Sequence, residues 1–161
     1  MTVSSLKKDL RKCINEEKRE FFPRFFKTGK GEYGEGDKFL GVVMPDITNV
    51  AKKYSDLKKE EIEKLLHSTW HEERMCGWII VLNNYDKSDK KDEWYQFTVK
   101  NIKQLNGWDL VDKIAPNIIG KHLEKKNQKQ ILEWSENETL WIRRIAILST
   151  WSRIRNKEFS L

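Results

Sequence analysis

Three prolines and two cysteines in 161 residues leave little with which to interrupt or cross-link this chain. Cys13 and Cys76 stand alone, in no C-x-x-C or Cys/His spacing, so neither a disulfide framework nor a thiolate zinc centre is expected, and both read as buried thiols. No apolar run approaches the roughly 20 residues of a membrane span, and the opening Met1-Thr2-Val3-Ser4-Ser5-Leu6-Lys7 has no apolar segment of the secretory kind, so a cytoplasmic protein without membrane contact is expected. Runs of β-branched residues in strand-like alternation are missing too. What remains is 35% charged and 11% aromatic, with seven tryptophans: enough large apolar groups for one folded domain over 1–161.

Apolar residues recur at helical spacing nearly everywhere, which makes the chain all-α. A first helix is expected over about Ser5 to Phe22, stopped near Pro23, and a short continuation leads to a glycine-rich loop from Gly29 to Gly36. Pro45 suits a first helical position and Ser55 a cap for the helix through Leu65. Further helices are expected over Glu72–Tyr85, over Asp92–Leu105 and from Trp108. Arg74, Asp112 and Arg144 lie 38 and 32 residues apart, each near an apolar helical segment. That period of about 35 residues fits a stack of two-helix units and fits a plain bundle as well.

The formal charge of +6 is uneven. Residues 1–30 hold nine Lys/Arg against four Asp/Glu, 31–99 hold ten against fourteen, and 100–161 hold twelve against seven. Basic excess at both ends suits a polyanion, or simply a solvated surface.

Two motifs with well-known readings fail on context. Gly29-Lys30-Gly31-Glu32-Tyr33-Gly34 spells a dinucleotide fingerprint, but no strand precedes it and no βαβ unit surrounds it; its glycines read as turn residues, with Lys27, Lys30 and Lys38 nearby for phosphates. His67 and His71, followed by Glu72 and Glu73, lack the H-E-x-x-H order, and no metal or other cofactor is expected.

The segment Asn106-Gly107-Trp108-Asp109-Leu110-Val111-Asp112 carries more. On a helix Trp108 and Asp112 share a face, and Arg144, from Trp141-Ile142-Arg143-Arg144-Ile145-Ala146-Ile147-Leu148-Ser149, can close the same volume from a second helix. Arg143 then points about 100° away from it. An indole, a carboxylate and a guanidinium suit a reaction in which positive charge develops on a sugar flanked by phosphates, as when an N-glycosidic bond breaks. A lone tryptophan is more often a core anchor, and an Asp112–Arg144 ion pair with a purely structural role is the competing reading.

These two blocks, together with Arg24-Phe25-Phe26-Lys27-Thr28-Gly29-Lys30-Gly31-Glu32-Tyr33-Gly34-Glu35-Gly36-Asp37-Lys38-Phe39-Leu40-Gly41-Val42, resemble DNA alkylation repair glycosylases of the AlkD type, over essentially the whole chain. The resemblance implies an α-solenoid of antiparallel HEAT-like helix pairs with a concave DNA-binding face. It implies hydrolysis of cationic alkylated purines, 3-methyladenine and 7-methylguanine, from duplex DNA, with Trp108, Asp112 and Arg144 catalytic. Lys27, Lys30, Lys38, Arg74, Trp141 and Arg143 are expected to contact DNA. The resemblance also implies that the base is not extruded into a pocket. The resembled enzymes also continue for further repeats where this chain stops at Leu161, which implies a monomer whose uncapped terminal face favours self-association. Gly107 and Val43 stand where relatives often carry a larger polar residue or an arginine. The alternatives are a non-catalytic DNA-binding repeat protein and a protein–protein scaffold.

Overall fold

A computed structural model describes residues 1–124 and 129–157, apart from the side chain at 152. Its regular structure is helical; among the described residues there is no strand, only an isolated bridge between Lys38 and Trp70. Two units can be described, 1–84 and 85–161. The end of the chain at 158–161, on which the expectation of an uncapped face rests, lies outside the described residues.

In the first unit α1 (Val3–Arg11) packs on α3 (Met44–Lys53) and α4 (Lys59–Leu66), burying Leu6 and Leu10. The single helix expected over Ser5 to Phe22 is instead two. Thr2 caps α1 by accepting from the Ser5 N–H, and Asn15 opens α2 (Glu16–Phe25) by accepting from the Lys18 N–H, with Glu16 and Glu17 in the first turn where the helix dipole favours them. Pro23 sits inside α2, near its end, not beyond it. Its ring denies the Arg19 carbonyl a donor, and the helix stops two residues later. Pro45 does lie in the first turn of α3, but Ser55 does not cap α4; that helix begins only at Lys59, while the Ser55 carbonyl accepts from the Asn84 side chain.

The helix α5 (His71–Lys87) is buried without interruption from His71 to Val81. Gly77 permits its close approach to α4: a Cβ there would stand 2.9 Å from Leu66 Cδ2 and 3.0 Å from Leu65 Cβ. A helix buried all round must satisfy every polar side chain it carries, and α5 opens with four. The Glu72 carboxylate accepts the backbone N–H groups of Leu40 (2.9 Å), Gly41 (2.8 Å) and Val42 (3.2 Å). Glu73 takes Lys7, Arg11 and the Ser68 hydroxyl. Arg74 and His71 both bind Asp37, and His71 stacks on Phe39 with centroids 4.7 Å apart. Gly41, at φ 87°, touches the α2 backbone so closely that a Cβ would meet the Asn15 carbonyl oxygen at 2.4 Å.

Cys76 is buried, and desolvation, aided by Glu73, pushes its thiol up to about 12. Cys13 corrects the expectation of two buried thiols: it is only half-buried, though burial pushes its thiol upward too.

The second unit contains α6 (Lys91–Lys100), a 3₁₀ turn (Ile102–Gln104), α7 (Trp108–Ile114), a π-helical segment (Ala115–Gly120), α8 (Lys121–Leu123), α9 (Lys129–Ser135), α10 (Leu140–Ser149) and α11 (Trp151–Arg155). Pro116 accounts for the change of pitch after α7. An α-helix would need its N–H for the Asp112 carbonyl, and proline has none, so the ladder widens. The Asn117 side chain donates to the Lys113 carbonyl at 2.9 Å in the same stretch. The core is formed by Leu110, Val111, Ile114, Ile118, Ile145 and Ala146. Gly120 lets the end of α10 come in close; a Cβ there would lie 2.6 Å from the Ser149 carbonyl oxygen.

Candidate functional site

Gly107, in an extended conformation, precedes the first residue of α7, and Asp109 in the first turn complements the helix dipole. Leu110, Val111 and Ile114 are the buried face of α7. Trp108 and Asp112, one turn apart, therefore fall on its flank, and both are half-buried. In α10 the buried residues Ile142, Ile145, Ala146 and Ser149 follow i, i+3, i+4, i+7 spacing, which leaves Trp141 and Arg144 half-buried along the edge. Since α10 packs on both α7 and the π-helical segment, these edges meet.

They meet through a paired contact. Arg144 Nε donates to Asp112 Oδ1 and Arg144 Nη2 to Oδ2, each at 2.8 Å, the fork geometry that only arginine provides. Both side chains are 40% exposed. Water screens a pair this open, so it contributes only about 0–1 kcal/mol to folding. Its effect is to fix positions. The hydrogen bonds from Arg144 hold Asp112 in one orientation, and they raise the guanidinium pKa above its ordinary value. Arg144 Nη1 faces no acceptor among the described residues and remains available to another anion. The arrangement thus offers an oriented carboxylate, a guanidinium edge and, one turn away, an indole.

The other expected contacts fall in three groups. Trp141 lies one turn before Arg144 on α10. Arg143 turns elsewhere, its Nη1 donating to the carbonyls of Asn137 (2.8 Å) and Glu138 (2.7 Å) and so holding the connection between α9 and α10. In the first unit Lys27, Lys30 and Lys38 are exposed on the loop after α2. Arg74 requires correction: it is only 4% exposed and bound to Asp37 at 2.7 Å and to the Ser68 carbonyl at 2.9 Å, an interior group that cannot reach a phosphate.

The glycine-rich loop offers no phosphate cradle either. The N–H groups of Gly29 and Gly31 already donate to the carboxylates of Glu32 and Glu35, both at 2.8 Å. His71 is occupied by Asp37, and among the described residues no group of three His, Cys, Asp or Glu side chains is placed to hold a metal ion.

Sequence reasoning missed the polar knot His71-Glu72-Glu73-Arg74. The signal was there: four consecutive ionisable residues run directly into the apolar stretch Met75-Cys76-Gly77-Trp78-Ile79-Ile80 and must be partnered where it is buried. It also missed the π-helical widening after Asp112, whose signal is Pro116 four residues on.

Comparison with curated proteins and with solved structures returned no match. A family model described as DNA alkylation repair enzyme matches residues 6–161, a span that includes Trp108, Asp112 and Arg144. The chain belongs to the DNA alkylation repair enzyme family.

Proposed function

We propose that this protein is a DNA glycosylase that releases cationic alkylated purines, 3-methyladenine and 7-methylguanine, from duplex DNA. One observation carries the reading: the two-pronged Asp112–Arg144 contact at a half-exposed edge, with Trp108 one turn along the same helix as Asp112. Alkylation at N3 or N7 gives the base a formal positive charge, so it leaves without strong acid catalysis and the sugar becomes oxocarbenium-like. The protein has then to hold the nucleotide, stabilise the cation and direct water to the sugar carbon, a task that carboxylates also perform in glycoside hydrolysis.

Asp112 is the group for the last two tasks. Each of its oxygens accepts one hydrogen bond from Arg144 and keeps a lone pair for water or for the developing charge. The Trp108 face contributes a cation–π contact worth about 0.5–2 kcal/mol, depending on how dry the site becomes. Arg144 can serve two anions at once, holding Asp112 with Nε and Nη2 while Nη1 donates to a backbone phosphate. In this reading the helix pairs stack as a HEAT-like solenoid whose concave face receives the duplex, with Lys27, Lys30, Lys38 and Trp141 as further DNA contacts. Selectivity follows from the lability of the charged base.

The same ion pair also suits a DNA-binding protein without catalysis, in which it is only a fastening between α7 and α10. The test is to incubate the purified chain with methylated duplex DNA and to separate freed bases by chromatography. Release of 3-methyladenine or 7-methylguanine above the spontaneous rate is expected. Salt-sensitive DNA binding with no base released refutes the enzyme and leaves the binding module, and no DNA binding leaves a scaffold.

A further inference from the structure

On α10 the residues Ile142, Ile145, Ala146 and Ser149 are buried in the second unit. A second set of large apolar side chains lies on the opposite side of this helix and on its continuation in α11: Leu140, Ile147, Trp151 and Ile154, each between 49% and 67% exposed. Thr150, between the two helices, is itself in the right-handed helical region, and its carbonyl accepts from the Ile154 N–H. The winding therefore carries on, and spacings of i, i+7, i+11 and i+14 keep the four on one face, a stripe about 21 Å long. A helix apolar on two sides is suited to being covered on both, and a contiguous exposed apolar patch marks a surface for association.

The spacing indicates what covers it. Leu140 stands seven residues before Ile147 and Ile154 seven after, so the stripe reads the same in both directions about Ile147. A two-fold axis at Ile147, running across the helices, sets this residue against its own counterpart and Leu140 of each copy against Ile154 of the other. Charge is arranged to the same end. The exposed Glu136 and Glu138 precede the stripe, and the exposed Arg155 and Lys157 follow it. An antiparallel pair brings each acidic end beside the basic end of the other copy, whereas a parallel pair brings like charges together. The stripe is thus complementary to itself in both apolar spacing and charge.

We propose that two copies of this chain pair antiparallel along α10 and α11, about a two-fold axis at Ile147, and that each copy sets its Trp151 against the Arg144 of the other. Trp151 and Arg144 are seven residues apart and so lie on the same flank of the stripe. With Ile147 on the axis, Trp151 of one copy is level with Arg143 and Arg144 of its counterpart, and the shared flank selects Arg144. An indole there covers the face of a guanidinium whose Nε and Nη2 are held by Asp112, and it leaves Nη1, in the guanidinium plane, open. The pairing goes beyond the DNA reading and does not depend on it.

The test is analytical ultracentrifugation of the full chain without DNA, from about 1 to 200 μM, the range in which a small interface associates. The parent chain is expected to pass from monomer to dimer as concentration rises. Ile147→Glu sets two carboxylates against each other at the axis and should weaken association about 30-fold or more while circular dichroism stays native. Reversing one end, Glu136→Lys with Glu138→Lys, should weaken it about 5-fold or more, and adding Arg155→Glu and Lys157→Glu to the same chain should restore it. Trp151→Ala should weaken association about 5-fold or more in the parent and little in an Arg144→Ala background, as a double-mutant cycle requires of touching residues. The proposal is overturned by a parent chain that stays monomeric throughout, by an Ile147→Glu variant that dimerises like the parent, by a quadruple charge variant no stronger than the double one, or by additive losses at Trp151 and Arg144.

Discussion

Replacing Glu72 by alanine removes the carboxylate that accepts the N–H groups of Leu40, Gly41 and Val42, three consecutive buried residues. No regular ladder passes through this stretch to supply substitute acceptors, and Glu72 itself is 1% exposed, so water has little room to follow. A buried donor left unpaired costs about 1–3 kcal/mol, and for three donors with partial relaxation the loss should reach about 3–5 kcal/mol. With a urea slope of roughly 2 kcal/mol/M, the unfolding midpoint falls by about 1.5–2.5 M. Glu72→Gln should fall between: its one amide oxygen can still serve Gly41 and Val42, which share Oε1, while its amide nitrogen opposes the Leu40 N–H. The assay is urea unfolding followed by tryptophan fluorescence and circular dichroism. The reasoning is refuted if the alanine variant unfolds within about 0.3 M of the parent, or if the glutamine variant is the weaker of the two.

Gly120→Ala places a methyl 2.6 Å from the Ser149 carbonyl oxygen and should destabilise by about 1–3 kcal/mol, with α10 displaced; an unchanged thermal midpoint would contradict this. For Asp37, burial acts upward, but the hydrogen bonds and charges of His71 and Arg74 outweigh it and hold the carboxyl below its ordinary value; Glu73 is lowered likewise, against burial, by Lys7, Ser68 and Arg11. Both groups bind protons more weakly folded than unfolded. Their stabilisation is therefore complete above the unfolded values of about 4 and is lost as pH falls through the depressed ones, so urea midpoints should drop below about pH 4 and drop less steeply in Asp37→Asn. Arg144→Lys keeps the charge but not the fork, and base release should slow by about 10- to 150-fold while the salt dependence of DNA affinity stays as it was; equal release rates would show that the fork is dispensable.

Much of the helical pattern was legible because apolar spacing reports which face of a helix is buried. The flank positions of Trp108, Asp112 and Arg144 follow from Leu110, Val111 and Ile114 on one helix and Ile142, Ile145 and Ala146 on the other. Arg143 and Arg144 diverge for the same reason. Tertiary partners were harder to read. Arg74 resembled a surface cation because nothing local reveals that Asp37, on a loop 37 residues earlier, folds back to meet it. The break between α1 and α2 escaped because Asn15 caps through a single side-chain bond, while the apolar residues on either side continue in near-helical register. Ser55 misled in the opposite sense, a good capping residue placed four positions before a helix that starts at Lys59.

The most direct test of the catalytic role is Asp112→Asn, which keeps the size of the side chain and removes its charge. Single-turnover release of 7-methylguanine from methylated duplex is timed beside fluorescence anisotropy of the same duplex. The expected result is a release rate reduced about 100-fold or more with affinity changed little. Release at the parent rate, or a parallel collapse of binding and release, would show that Asp112 fastens two helices and does no chemistry.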